Sequence, residues 1–165
     1  MFEGRADFDL RARGTLVSPE YDATLSAYNV LFRGFPFGEI HGTLAYRDER
    51  LVTAFSIDNR ADKTSGVPDL AIRGTLPIRL GLKGVGERLP DTPMDFVIKT
   101  EGLQMSLLDP LVPTFNELTG TLKADVTIGG SPKKPIFAGS MSIENCSFLF
   151  EPNNMYYKLD GRFQP

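Results

Sequence analysis

The sequence predicts an all-β fold: about ten mostly antiparallel strands in one curled sheet that forms an open apolar groove, with one short helix near 103–117. Three observations carry this expectation. Apolar and polar residues alternate along much of the chain, the mark of strands with one dry and one wet face. A short phrase recurs as Gly14-Thr15-Leu16, Gly42-Thr43-Leu44, Gly74-Thr75-Leu76 and Gly120-Thr121-Leu122, with looser copies at Gly139-Ser140-Met141 and Gly161-Arg162-Phe163. Turn residues separate the alternating runs.

Taken in order, the first sharp turn is Asp48-Glu49-Arg50, followed by the alternating run Leu51 to Ile57 and a second turn at Asp58-Asn59-Arg60. The cleanest alternation starts at Leu70. There Leu70, Ile72, Gly74, Leu76, Ile78, Leu80 and Leu82 share one face, and a strand is expected over 70–82. Lys83 to Pro93 reads as a loop, and Met94 to Lys99 as the next strand. From Leu103 the period changes, with Leu107, Leu108, Leu111, Phe115 and Leu118 spaced near 3.6. Asp109 is placed to cap a helix with Pro110 at its first position, and Pro113 keeps that helix short. Alternation returns from Leu122 to Ile128, and turns are expected at Gly129-Gly130-Ser131-Pro132 and Glu151-Pro152-Asn153-Asn154.

The recurring glycines fall inside the strand pattern, where glycine weakens a strand. A bend or bulge at one level of each strand, curling the sheet, is the expected reason. Their spacings of 28, 32, 46, 19 and 22 are too irregular for a solenoid and suit hairpins with loops of varied length. Short connections make the pairing antiparallel.

The 165 residues are read as a single segment, 1–165. A net charge of −3 counts against nucleic acid as a partner. One Cys cannot form an internal disulfide, and one His cannot build a multi-His metal site. No apolar run approaches the ~20 residues of a membrane helix.

Candidate chemistry is sparse. Asp7, Asp9, Asp48, Glu49 and Asp58 stand where solvated charge is expected. His41 has no nucleophile motif beside it and reads as a surface residue, and Cys146 has no neighbouring base to activate it and reads as an inert small residue. Gly129 to Pro135 lacks the Gly-Lys-Ser/Thr ending of a phosphate loop. The expectation is a non-enzyme with no cofactor and no metal.

The stretch Leu107-Leu108-Asp109-Pro110-Leu111-Val112-Pro113, the run from Leu118 through Val126 to Gly139, and the later Ile143 to Phe148, Asn153-Asn154 and Tyr156 to Gly161 resemble the TamB family, the inner-membrane subunit of the translocation and assembly module. The match spans about 103–163, within the wider AsmA-like repeating β-groove proteins; residues 1–100 share only the Gly-Thr-Leu phrasing. The resemblance implies a β-taco with an apolar interior, lying in the periplasm and anchored to the inner membrane. It implies a bridge that carries phospholipid between the inner and outer membranes, supports outer-membrane protein assembly, or does both. Implied partners are phospholipid acyl chains, an Omp85-type outer-membrane barrel (TamA-like) and the inner membrane, reached through an anchor outside this chain. The chain is accordingly expected to be a piece of a longer protein.

The expected groove lining, chosen by common phase, is Leu70, Ile72, Leu76, Ile78, Leu80, Phe96, Ile98, Leu122, Val126, Ile128, Ile143 and Phe148. The alternative is a closed β-sandwich, a structural or adhesive module with no lipid role. The two differ in whether a second apolar layer covers this face.

Overall fold

A computed structural model describes residues 2–59, 68–112 and 114–164. Arg60 of the second expected turn and Pro113 lie outside the described residues. Among the described residues, nine strands form one antiparallel sheet in strict sequence order: β1 (Phe2–Gly14), β2 (Pro19–Phe32), β3 (Phe35–Arg47), β4 (Arg50–Asp58), β5 (Leu70–Pro77), β6 (Asp95–Gln104), β7 (Phe115–Ser131), β8 (Lys134–Phe150) and β9 (Met155–Phe163). The sheet is curled and unclosed, with β1 and β9 as its two edges. It is the architecture the alternation predicts, and no second sheet covers it among the described residues.

The strands number nine where about ten were expected, and the strand expected over 70–82 ends at Pro77. Beyond it the alternation continues, but the backbone no longer pairs with a strand. The Ile78 N–H donates to the Glu49 carbonyl, Leu80 N–H to the Tyr46 hydroxyl and Leu82 N–H to the Leu16 carbonyl. Farther on, Met94 N–H reaches the Gly130 carbonyl, and Lys133 pairs with Glu87 at 2.6 Å. The segment 78–94 is thus a strap along one end of the strands, from the β1–β2 turn to the β7–β8 turn.

The opposite end carries a 3-10 helix, Met105–Leu111, shorter and tighter than the expected α-helical reading of 103–117. Asp109 does not cap it. It lies inside the helix, where its Oδ1 accepts the Leu118 N–H at 2.8 Å. The helix packs on β7 and also touches β3, four strands away, which only a curled sheet allows.

Register shifts gather toward this helical end: between Glu3 and Arg5, Ala27 and Val30, Thr100 and Leu103, Asn116 and Thr121, and Ile143 and Cys146. Bulges therefore do cluster at one end of the sheet, but the recurring glycines are mostly not their seat. Of the six, only Gly120 falls at a shift. Asn29, Glu117 and Asn145, all with left-handed φ, occupy others. Gly42, Gly74, Gly139 and Gly161 lie in regular ladder on the apolar face, and Gly14 closes β1.

Polar side chains satisfy the N–H groups that the bulges free. The Thr100 hydroxyl, buried, accepts from Gly102 and Leu103, and the Asp160 carboxylate accepts from Asn145 at 2.6 Å. Without Thr100 the donors at Gly102 and Leu103, which are shielded from water, would carry a desolvation penalty.

Candidate functional site

The register assembles one apolar face across the whole sheet. Phe55 stands opposite Ile72, Ile72 opposite Ile98, and Ile98 opposite Val126. One residue along, the same ladder reads Ser56, Ala71, Lys99, Asp125 and Ser140, the wet face. Toward β1 the apolar row continues through Gly42 and Leu25 to Phe8; toward β8 it reaches Gly139, and the same face goes on to β9 through Met141, Ile143 and Cys146, opposite Phe163, Gly161 and Leu159. Among the described residues, no Asp, Glu, Lys or Arg falls on this face between the register shifts and the strap end.

Ten of the twelve expected lining residues occupy strands on this one face: Leu70, Ile72, Leu76, Phe96, Ile98, Leu122, Val126, Ile128, Ile143 and Phe148. All ten are half-buried, neither packed shut nor fully in water. The other two do not belong to the sheet. Ile78 and Leu80 sit in the strap, because β5 has already ended.

Eight of the ten divide further. Leu122, Ile143 and Phe148 pack against a small core of Met105, Leu118 and Cys146, beneath the 3-10 helix. They therefore lie under a lid of protein, while Ile72, Phe96, Ile98, Val126 and Ile128 line the trough between the helix and the strap. A second core of Ala27, Val30 and Phe37, joined by Ile40 and Ile57, closes the helical end on the β2–β4 side.

Sequence reasoning missed the contribution of β2–β4. Leu25, Ile40, Leu44, Leu51, Phe55 and Ile57 stand on the same face. Their signal was diluted by the Ala and Gly that share it, such as Ala23, Ala27 and Gly42, but Leu51, Phe55 and Ile57 were within an alternation already visible in the chain. Tyr46 was also missed; it is buried, and its hydroxyl holds the strap at Leu80.

Cys146 is buried in the helix-end core. Burial, then the nearby Asp160 carboxylate, pushes its thiol pKa up, so it stays protonated and a weak nucleophile. His41 is exposed, within 3.6 Å of Glu39 and 3.4 Å of the Ser26 hydroxyl.

A concavity of about 700 Å³ lies on the other, polar face, over β5–β9. Its charges largely compensate one another, Lys99 pairing with Asp125 at 3.0 Å and Lys123 with Glu144 at 2.8 Å. Such exposed pairs add little stability. The apolar face leaves Phe8 66%, Leu10 56%, Leu159 46% and Phe163 57% exposed at the two edges.

No family model, curated protein or solved structure matches the chain.

Proposed function

We propose that this chain is a segment of a TamB-like bridge whose open trough takes phospholipid acyl chains. The observation that carries this reading is the apolar face itself. It is continuous over nine strands, free of charge in its regular part, half-buried along its middle and open at both edge strands. An acyl chain is the ligand such a surface suits, since it needs burial at about 25 cal/mol per Å² and no polar partner. A trough open at both edges also lets a long chain slide, which an enclosed pocket would not.

The resemblance of residues 103–163 to the TamB family supplies the setting: a periplasmic bridge, anchored to the inner membrane, with an Omp85-type barrel at the outer membrane. Phospholipid transfer and support for outer-membrane protein assembly both belong to that proposal. Unfolded outer-membrane strands present alternating apolar residues, which the same face would accept.

Photo-crosslinking residues at Val126 and Ile98 test the cargo. Capture of phospholipid there, with none from the wet-face positions Asp125 and Lys99, is the expected result. Crosslinks to polypeptide alone would assign the trough to client protein. Capture from the wet face alone would overturn the reading.

A further inference from the structure

We propose that the strap carries a phosphate subsite, made by Arg79 and Arg88, at the rim of the trough. A lipid phosphate at that subsite presupposes the trough reading; a free phosphate does not.

The strap folds back on itself there. The Arg79 N–H donates to the Arg88 carbonyl at 2.9 Å, and the Arg88 guanidinium donates to the Arg79 carbonyl at 3.3 Å, so the two arginines stand across from each other. Like charges set opposite in this way repel. The nearby carboxylates relieve only one of them. Glu49 accepts from Arg79 Nε at 2.9 Å, while Glu87, next to Arg88 in the chain, pairs with Lys133 at 2.6 Å. Arg88 is exposed and has no carboxylate partner among the described residues.

Arg79, Arg88 and Lys133 against Glu49 and Glu87 leave one positive charge, the amount a phosphodiester balances. Lys83 and Asp91, elsewhere in the strap, offset each other, as do Asp48 and Arg50 on either side of Glu49. A guanidinium holds five N–H donors in a planar fork that matches phosphate oxygens, and Arg88 spends one of them on the Arg79 carbonyl.

The position suits a headgroup. Arg79 falls between Ile78 and Leu80, whose N–H groups are tied to the Glu49 carbonyl and to the Tyr46 hydroxyl. Tyr46 is buried and belongs to the apolar face, opposite Leu51. The strap thus runs where the apolar floor ends and water begins. A lipid whose tails lie on that floor must leave its phosphate at a rim, because burying the charge is costly. The helical rim is the poorer of the two. There Asp109, Glu117 and Glu151 share one hollow with Arg33, and Arg33 donates to the Pro110 carbonyl at 3.3 Å.

Three probes titrated into the 165-residue chain separate the sources of the phosphate: short-chain phosphatidylglycerol, the diacylglycerol with the same tails, and glycerol phosphate, which has no tails. The wild type should bind phosphatidylglycerol more tightly than diacylglycerol. Arg88→Gln should weaken phosphatidylglycerol by about three- to tenfold, the scale of one partly screened ionic hydrogen bond, and Arg88→Lys should recover part of the loss. Diacylglycerol affinity should not change, which also shows that the variant is folded. Lys134→Gln, an exposed charge at the same end but outside the cluster, should affect neither lipid. Phosphatidylglycerol binding indifferent to Arg88, weakened equally by Lys134→Gln, or falling in step with diacylglycerol would each overturn the subsite. If both lipids bind equally and Val126→Arg abolishes both, the trough stands and the subsite falls. If neither lipid binds but glycerol phosphate does, and Arg88→Gln weakens it, the subsite stands for a free phosphate and the trough reading falls.

Discussion

Two glycines of the same repeated phrase differ sharply in what surrounds them. At Gly139, φ is +120° and a Cβ would collide with the Asp125 carbonyl oxygen across the β7–β8 ladder; at Gly161 nothing lies within 4 Å. Gly139→Ala should therefore lower unfolding free energy by about 1–3 kcal/mol, the scale of backbone strain, while Gly161→Ala stays within ~0.5 kcal/mol. Urea titration of both variants checks the contrast. Thr100 makes a second test. Thr100→Val keeps the shape but leaves two donors at Gly102 and Leu103 without an acceptor, a loss of about 1–3 kcal/mol; Thr100→Ser should recover most of it. Cys146 links stability to pH. Its folded pKa is raised above the ordinary 9.0 by burial and then by Asp160, so the folded chain holds a proton that the unfolded chain gives up. The contribution is fully present below the ordinary thiol pKa and is lost as pH rises through the raised one. Denaturation midpoints at neutral and alkaline pH should diverge more for the wild type than for Cys146→Ala.

Among the elements, the 3-10 helix and the strap do for this sheet what a second layer does for a sandwich, but only at its two ends. The helix buries Met105 and Leu107 against the sheet, and Leu107 is 4% exposed. Leu107→Ala should cost about 2–5 kcal/mol, with the loss depending on how far the helix can settle into the space. Amide exchange should then rise first around Leu118 and Cys146, the neighbours of the helix-end core. The strap is held differently, by backbone bonds to Leu16, Glu49 and Gly130 and by the exposed pairs Arg79–Glu49 and Lys133–Glu87. Breaking either pair should change stability by less than ~1 kcal/mol. Sequence showed the helix through its 3.6 spacing but misjudged its start, because Asp109 looks like a cap until Leu118 N–H is seen to reach it from β7.

For the whole molecule, the accessible surface is 10532 Å², against roughly 8,100 Å² for a compact monomer of this mass. The excess belongs to a sheet with one layer, and it separates two outcomes for a charge in the trough. In a packed core Val126→Arg would cost several kcal/mol and unfold the chain. In this half-open trough the guanidinium can reach water, so the fold should survive, by circular dichroism and thermal melting, while co-purified phospholipid falls in native mass spectrometry. Loss of fold with that substitution would mean that the face is covered.

Within the chain itself, local physics determined a great deal. Strand character and the division into wet and dry faces follow from alternation, since side chains along a strand must point to opposite sides. The phase of ten lining residues, from Leu70 to Phe148, was legible for that reason. Three things were not. Where β5 stops depends on partners for Ile78 and Leu80, and those partners, Glu49 and Tyr46, are about thirty residues away. Which residues seat the bulges depends on pairing between strands, so Asn29, Glu117 and Asn145 carry left-handed backbone that no repeated phrase announces. And which lining residues lie beneath a lid, Leu122, Ile143 and Phe148, was decided only when the 3-10 helix folded back over β7. Alternation is a property of neighbours in the chain; coverage is a property of neighbours in space.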